Sequence, residues 1–66
     1  MEITVNGEKK EYLGAASLTS LLAFLGINNR PAVVERNLRI VPRHEIEREP
    51  VADGDTIEII RFVGGG

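Results

Sequence analysis

The feature that most constrains the fold is one short amphipathic helix. Four leucines at i, i+3, i+4 and i+7 form a single apolar stripe: Leu18, Leu21, Leu22 and Leu25. Ser17 precedes the stripe as a predicted N-cap, and Gly26 follows it as a predicted C′ residue with Ile27 folded back on Leu22. A helix of this length with one apolar stripe packs against only one face of a sheet.

Strand patterns lie on both sides of this helix. They predict strands over residues 1–5, 8–13, 32–35, 38–41 and 56–63. The charged second strand suits a sheet edge, and the nearly continuous apolar last strand suits a central position covered on both faces. Because one helix crosses over between strands, parallel neighbours with a right-handed connection are expected. The predicted fold class is α+β, a mixed sheet of four to five strands packed on one helix.

The connections between these elements carry turn signals. Asn6-Gly7 predicts a type I′ hairpin turn, since that turn needs positive φ at both central residues. Arg36-Asn37 is the predicted turn into the fourth strand, and residues 28–31 are a predicted loop. The charged segment 42–50 predicts an irregular stretch or a short helical turn, and residues 53–55 a tight turn.

Size and composition exclude several classes of function. A chain of 66 residues is one domain at most, and its small core has no room for an enclosed active site. The absence of cysteine excludes disulfides, thiolate metal sites and cysteine nucleophiles. A formal net charge of −2 gives no electrostatic case for binding nucleic acid or an anionic membrane. With no membrane span and no signal-peptide pattern at the start, we expect a cytoplasmic protein.

Catalytic and metal-binding signatures are absent from the sequence. His44, the one histidine, lies between Arg43 and Glu45 and is predicted to be solvated, because no second histidine or cysteine could complete a site with it. Ser17 and the hydroxyl residues after it have no histidine partner in a recognisable pattern. We therefore predict no catalytic residue and no metal ligand.

The C-terminal stretch is the most unusual part of the chain. The last strand runs into Gly64, Gly65 and Gly66, so we divide the chain into a domain over 1–63 and a flexible glycine tail over 64–66. Because glycine has no Cβ, the sides of a partner's binding channel can approach the tail backbone closely. Three extended residues reach about 10 Å. A frayed terminus is the alternative explanation for such a tail.

Two apolar residues precede the tail on one side of the predicted strand. Ile57 and Ile59 point to one face, and Ile60 and Phe62 to the other. If the helix covers Ile57 and Ile59, then Ile60 and Phe62 form an uncovered pair suited to docking a partner. A structural contact on the second face is the alternative.

Several segments together resemble the ThiS family of small ubiquitin-like sulfur carriers in thiamin thiazole biosynthesis. They are Val-Glu-Arg-Asn at 34–37, Ile-Val-Pro-Arg at 40–43, Asp-Gly-Asp followed by Ile-Glu-Ile at 53–59, and the terminal Phe-Val-Gly-Gly-Gly. The resemblance covers essentially the whole chain and implies the β-grasp fold. A Gly-Gly end alone is shared by other β-grasp carriers, including the molybdopterin synthase small subunit.

The resemblance also implies a mechanism and partners. A ThiF-type adenylyltransferase uses ATP and magnesium to adenylate the carboxyl of Gly66, and sulfur from a donor system converts it to a thiocarboxylate. Gly64 and Gly65 thread the tail into the partners, and a ThiG-type thiazole synthase takes the sulfur. The chain is then a carrier and co-substrate rather than an enzyme, with no stably bound cofactor. The alternatives are a molybdopterin synthase small-subunit-like sulfur carrier and a non-catalytic β-grasp binding module.

Overall fold

The structure, a computed structural model, describes residues 1–27 and 32–61. The strands in this part of the chain are Glu2–Val5 (β1), Glu8–Glu11 (β2), Ala32–Arg36 (β3), Arg39–Val41 (β4) and Thr56–Arg61 (β5). The α-helix is Leu18–Phe24 (α1), and a 3₁₀ helix spans Arg43–Arg48. The last of these confirms the short helical turn expected in the charged segment.

The five strands form one mixed sheet in the order β2-β1-β5-β3-β4. β1 and β5 are parallel, and the other neighbours are antiparallel. One face of the sheet packs on α1, with these buried sheet residues: Ile3, Val5, Val34, Val41, Ile57 and Ile59. The helix contributes Leu18, Leu21 and Leu22 to the same core. The predicted β-grasp fold is confirmed, with charged β2 at an edge and β5 in the centre.

Helix α1 begins and ends where the sequence predicts. The Ser17 hydroxyl accepts a hydrogen bond from the amide of Ser20 at 3.2 Å. At the other end the Ile27 amide donates to the Leu22 carbonyl at 3.0 Å, and Gly26 has a φ of +77°. This is the closure predicted from Gly26, a position that requires left-handed backbone. No helix in residues 1–27 or 32–61 is long and apolar enough to cross a membrane.

Strand β2 is shorter than predicted. It ends at Glu11 instead of residue 13, and Leu13 lies exposed outside the sheet. The Tyr12 backbone still exchanges hydrogen bonds with Met1, and its side chain is buried in the core, where the hydroxyl donates to the Ala15 carbonyl at 2.7 Å. The sequence pattern did not identify this tyrosine as a core residue.

The β3–β4 turn lies one residue later than predicted. Arg36 is the last residue of β3, and the turn residues are Asn37 and Leu38, with φ of 50° and 70°. Positive φ at both positions is the pattern of a type I′ turn, the same as at Asn6-Gly7. A leucine is an unusual residue for this backbone, so the sequence favoured the wrong pair.

Strand β5 is central, as predicted, but the expectation that it is covered on both faces is wrong for the part described. Its inner residues Ile57 and Ile59 are buried, whereas Ile60 is 53% exposed. The one α-helix of the described residues, α1, packs on the other face. The predicted end of this strand, the loop 28–31 and the boundary with the tail lie outside the described residues.

Candidate docking surface

The end of β5 is held in place by a side chain from the β1–β2 turn. The side-chain Oδ1 of Asn6 accepts from the Ile59 amide at 2.7 Å, and its Nδ2 donates to the Ile59 carbonyl at 3.3 Å. The backbone amide of Asn6 donates to the Ile57 carbonyl at 2.9 Å. This side-chain amide therefore extends the β1–β5 ladder beyond Val5, the last residue of β1. The strand that leads to the glycines is thus hydrogen-bonded on the β1 side as far as Ile59.

The face of the sheet opposite α1, here called the open face, carries an apolar patch. We define the open-face patch as Val33, Ile40 and Ile60, one residue from each of β3, β4 and β5. Val33 and Ile60 are direct cross-strand partners, and Ile40 pairs with Glu35, two residues after Val33. Ile60 is 53% and Ile40 64% exposed. Exposed apolar residues grouped in this way mark an interaction surface more often than scattered ones do.

The predicted site residues therefore fall into two groups. Ile60 lies on the face away from the helix, as expected from its alternation with Ile59, and its docking role stays a prediction. Phe62 and the tail glycines Gly64, Gly65 and Gly66 lie outside the described residues, and their roles stay predictions as well.

A polar cluster lies where the β3–β4 turn meets the start of β5. Asp55 is buried and accepts three hydrogen bonds: from Arg36 Nε at 2.7 Å, from Asn37 Nδ2 at 3.0 Å and from the Ala52 amide at 2.8 Å. The guanidinium of Arg36 also donates to Glu49 at 3.1 Å. We call these residues the Asp55 cluster.

The charge state of the cluster follows from these contacts. Burial opposes ionisation of Asp55, but hydrogen bonds from Asn37, Arg36 and Ala52 outweigh it, so the pKa of this carboxyl lies below its usual value. The hydrogen bond to Asp55, with that to Glu49, raises the pKa of Arg36. The cluster is thus a paired, ionised group at neutral pH.

This cluster gives a structural meaning to two of the motifs in the sequence. Arg36 and Asn37 end Val-Glu-Arg-Asn, and Asp55 ends Asp-Gly-Asp. Asn37 Oδ1 also accepts from the Thr56 amide at 2.9 Å, so the cluster fixes the start of β5. Asp53, the first residue of Asp-Gly-Asp, accepts from the Glu2 amide at 2.6 Å and ties the same turn to β1. We conclude that these segments hold the sheet together rather than form a reactive site.

Sequence reasoning missed part of the open face. Alternation along the last strand placed Glu58 on the same side as Ile60, but Val33, Glu35 and Ile40 also lie on this face. The short apolar pattern of residues 32–35 did not show which side chains point outward. The signal was the period of two within each strand, but it becomes informative only when the pairing of β3 with β4 and β5 is known.

The described residues offer no grouping suited to a metal ion. Within 1–27 and 32–61, no three histidine, cysteine, aspartate or glutamate side chains come together in a way that could hold one. His44 lies exposed on the 3₁₀ helix, where the charged segment was expected to be solvated. The candidate site described here is the open-face patch beside β5, the strand that leads to the tail.

Comparison with known proteins agrees with this geometry. The family model of the ThiS family matches residues 3–66. The sulfur carrier protein ThiS of Bacillus subtilis is 38% identical over 50 residues, which cover 76% of each chain. The crystal structure of a thiamine biosynthesis protein (ThiS) from Geobacter metallireducens superposes with a TM-score of 0.82 at 35% identity, covering 100% of both chains.

A longer relative shows the same unit within a larger protein. The thiazole synthase of Paramagnetospirillum magneticum is 41% identical over all 66 residues, but the matched region is only 20% of that protein. The chain thus spans about a fifth of the length of this relative. The family model, in contrast, matches nearly every residue of the chain, and the structural match covers its whole fold. This protein belongs to the ThiS family.

Proposed function

We propose that this chain is a sulfur carrier of thiamine biosynthesis, with the Gly66 carboxyl as the group that carries sulfur. The observation that carries the proposal is the family match over residues 3–66, which includes the terminal glycines. Two features of the described residues support it. Asn6 holds β5, the strand that leads to the tail, by hydrogen bonds at Ile59, and an apolar patch is exposed beside this strand. The protein acts as a carrier and co-substrate.

The chemistry requires activation of the carboxyl. An α-carboxyl has a pKa of about 3.3–3.7, so Gly66 is an anion at neutral pH and a poor electrophile. In the proposed reaction an oxygen of this carboxylate attacks the α-phosphorus of ATP, pyrophosphate leaves, and an acyl-adenylate forms. ATP and magnesium belong to the adenylyltransferase that performs this step.

Sulfur enters by displacement of AMP. The terminal sulfur of a persulfide on the donor protein attacks the acyl carbon, and AMP leaves. A second thiol cleaves the acyl disulfide that results, which releases the thiocarboxylate of Gly66 and leaves a disulfide on the donor side. Because sulfur is held on the carboxyl, a carrier without cysteine is sufficient.

Thiazole synthase is the proposed acceptor of the sulfur. The relative from Paramagnetospirillum magneticum, named thiazole synthase, contains a unit similar to this whole chain. A carrier that is part of the same chain as its acceptor works at a high effective concentration. We infer that this chain reaches an acceptor of the same kind by docking, and that Gly64 and Gly65 give the tail the slender form needed to enter it.

Two tail variants test the proposal with the adenylyltransferase of the same organism. Deletion of Gly66 removes the reacting carboxyl and should abolish ATP–pyrophosphate exchange. Gly65→Val keeps the carboxyl but widens the tail, and should slow adenylation about 100-fold, because a displacement of about 1 Å at a reacting centre has an effect of this size.

The control is the melting temperature, which both variants should leave unchanged. Intact-mass analysis of the wild-type product, formed with the sulfur donor present, should show the mass difference between sulfur and oxygen. Normal exchange by the protein lacking Gly66 would refute the carrier role and favour the binding-module alternative.

A further inference from the structure

Two glutamates face each other in the middle of the open face. Glu35 on β3 and Glu58 on β5 are direct cross-strand partners, and both are half-buried. Side chains in such a pair have Cβ atoms about 4.5–5.5 Å apart, and like charges at this distance repel each other. Both strands are interior to the sheet, so the charges do not serve to protect a sheet edge.

The described part of the chain does not neutralise this pair. The ion pairs near these residues in sequence join Arg36 to Asp55 and Glu49, and Arg36 lies on the other face of the sheet. In residues 1–27 and 32–61, neither Glu35 nor Glu58 forms an ion pair. No ion pair of the described residues therefore offsets the repulsion within the pair.

Apolar side chains surround the two carboxylates. Ile40 is the cross-strand partner of Glu35 on its other side, and Val33 and Ile60 form the next row of the sheet. The three are the open-face patch. Interfaces with proteins combine an apolar core of this kind with a small number of matched charges, and arginine is enriched among the partner residues that supply them. A solvated acidic face would not need exposed isoleucines on two sides of its charges.

We propose that the open face docks on a surface of thiazole synthase that presents an arginine flanked by apolar side chains. The planar guanidinium donates to Glu35 and Glu58 together, and the flanking groups cover Val33, Ile40 and Ile60. This rests on the proposed function, since it names the chemistry of one of the carrier's partners. Glu58 and Ile60 are on the strand that leads to the tail, so docking here also sets the point from which the tail enters the enzyme.

The test compares two double variants with equal charge. Glu35→Gln with Glu58→Gln removes the opposed pair. Glu8→Gln with Glu47→Gln removes two exposed carboxylates away from the open face, because Glu8 is the cross-strand partner of the core residue Val5 and Glu47 lies beside α1. Each double variant raises the formal net charge from −2 to 0, two carboxylates having been neutralised. The probe is thiazole synthase from the same organism, with the dissociation constant measured at low and at high salt.

We expect removal of the opposed pair to weaken binding about tenfold or more at low salt and to reduce its salt dependence, as for other desolvated interface charges. The Glu8/Glu47 control should bind like the wild type. The melting temperature of the Glu35/Glu58 variant should stay the same or rise, because the repulsion is removed. A fall would show that the pair has a structural role within the chain and would overturn the proposal.

Other outcomes also decide the matter. Equal weakening by both double variants would mean that net charge alone governs binding. Unchanged binding by the Glu35/Glu58 variant would refute the arginine contact while leaving the carrier role intact, provided that Gly66 is still adenylated. Absence of wild-type binding would refute the docking proposal, and the pyrophosphate-exchange experiment would then show separately whether the carrier role also fails.

Discussion

Arg36 and Asp55, 19 residues apart in the chain, are joined by a 2.7 Å hydrogen bond between Nε and Oδ2. The contact connects the β3–β4 hairpin to the start of β5, and Asn37 and the Ala52 amide complete the hydrogen bonding of the carboxylate. The cluster therefore fixes the start of β5, the central strand of the sheet and the one that leads to the tail.

Replacement of Asp55 should destabilise the fold strongly. Asp55→Ala removes one hydrogen-bond acceptor from the partly buried Arg36, and it also removes the carboxylate that accepts from the Ala52 amide. A loss of about 3 kcal/mol in unfolding free energy is therefore expected. Asp53→Ala is the matched control. Within residues 1–27 and 32–61, its exposed side chain accepts a hydrogen bond from the Glu2 amide alone, and a cost of about 1 kcal/mol is expected. Urea unfolding measures both, and equal costs would contradict the role given to the cluster.

The same carboxyl predicts a pH dependence. The pKa of Asp55 is lowered in the folded protein, so its contribution to stability is complete above the unfolded value of 3.8 and is lost as pH falls through the lower native value. Acid titration of the unfolding free energy should therefore show a smaller decline for Asp55→Asn than for the wild type in this range. Identical acid curves would mean that other carboxylates govern the decline.

Leu38 gives a prediction about backbone conformation. It has a φ of +70° and is 85% exposed, so its side chain gains little from packing, while left-handed backbone costs a bulky residue about 1–2 kcal/mol. Leu38→Gly should stabilise the protein by about 0.5–1 kcal/mol, because the greater entropy of glycine in the unfolded chain offsets part of the gain.

The Asn6-Gly7 turn provides the reverse experiment. Gly7 has a φ of +84°, and a Cβ there would meet no atom within 4 Å, so Gly7→Ala tests conformation alone. It should lower the unfolding free energy by about 1 kcal/mol. Thermal melting of both variants checks the pair, and a destabilised Leu38→Gly protein would show that this leucine makes a contact worth more than its strain.

Truncation of a core residue should mainly lower stability, whereas truncation of an open-face patch residue should mainly weaken partner binding. Leu22 is buried against the sheet, and Leu22→Ala should cost about 2–5 kcal/mol of stability. Ile60 is half exposed, and Ile60→Ala should cost less than about 1 kcal/mol while it weakens partner binding by about 1–3 kcal/mol. Calorimetry and binding measurements on the two variants distinguish these cases. If Ile60→Ala unfolds as easily as Leu22→Ala and binds normally, the patch is part of the core.

The sequence by itself determined the elements of this fold. The leucine stripe and the Ser17 and Gly26 caps act within one helix, and Asn6-Gly7 acts within one turn, so their physical basis is local and readable in order along the chain. A mixed sheet packed on one helix followed because one short helix has only one sheet face to cover, and the resemblance to the family added the β-grasp arrangement. The identity of the family was readable in the same way, because each segment that carries the resemblance is a short contiguous stretch of the chain.

Tertiary structure alone decided what those segments do and which residues share a surface. Arg36 and Asp55 meet only when β3 pairs with β5, and the same pairing places Glu35 against Glu58 and Val33 against Ile60. Strand alternation gives two faces for each strand, but it does not say which strands are neighbours or in what register. These relationships depend on contacts between residues far apart in the chain. A local sequence pattern does not show which distant residues are close in space.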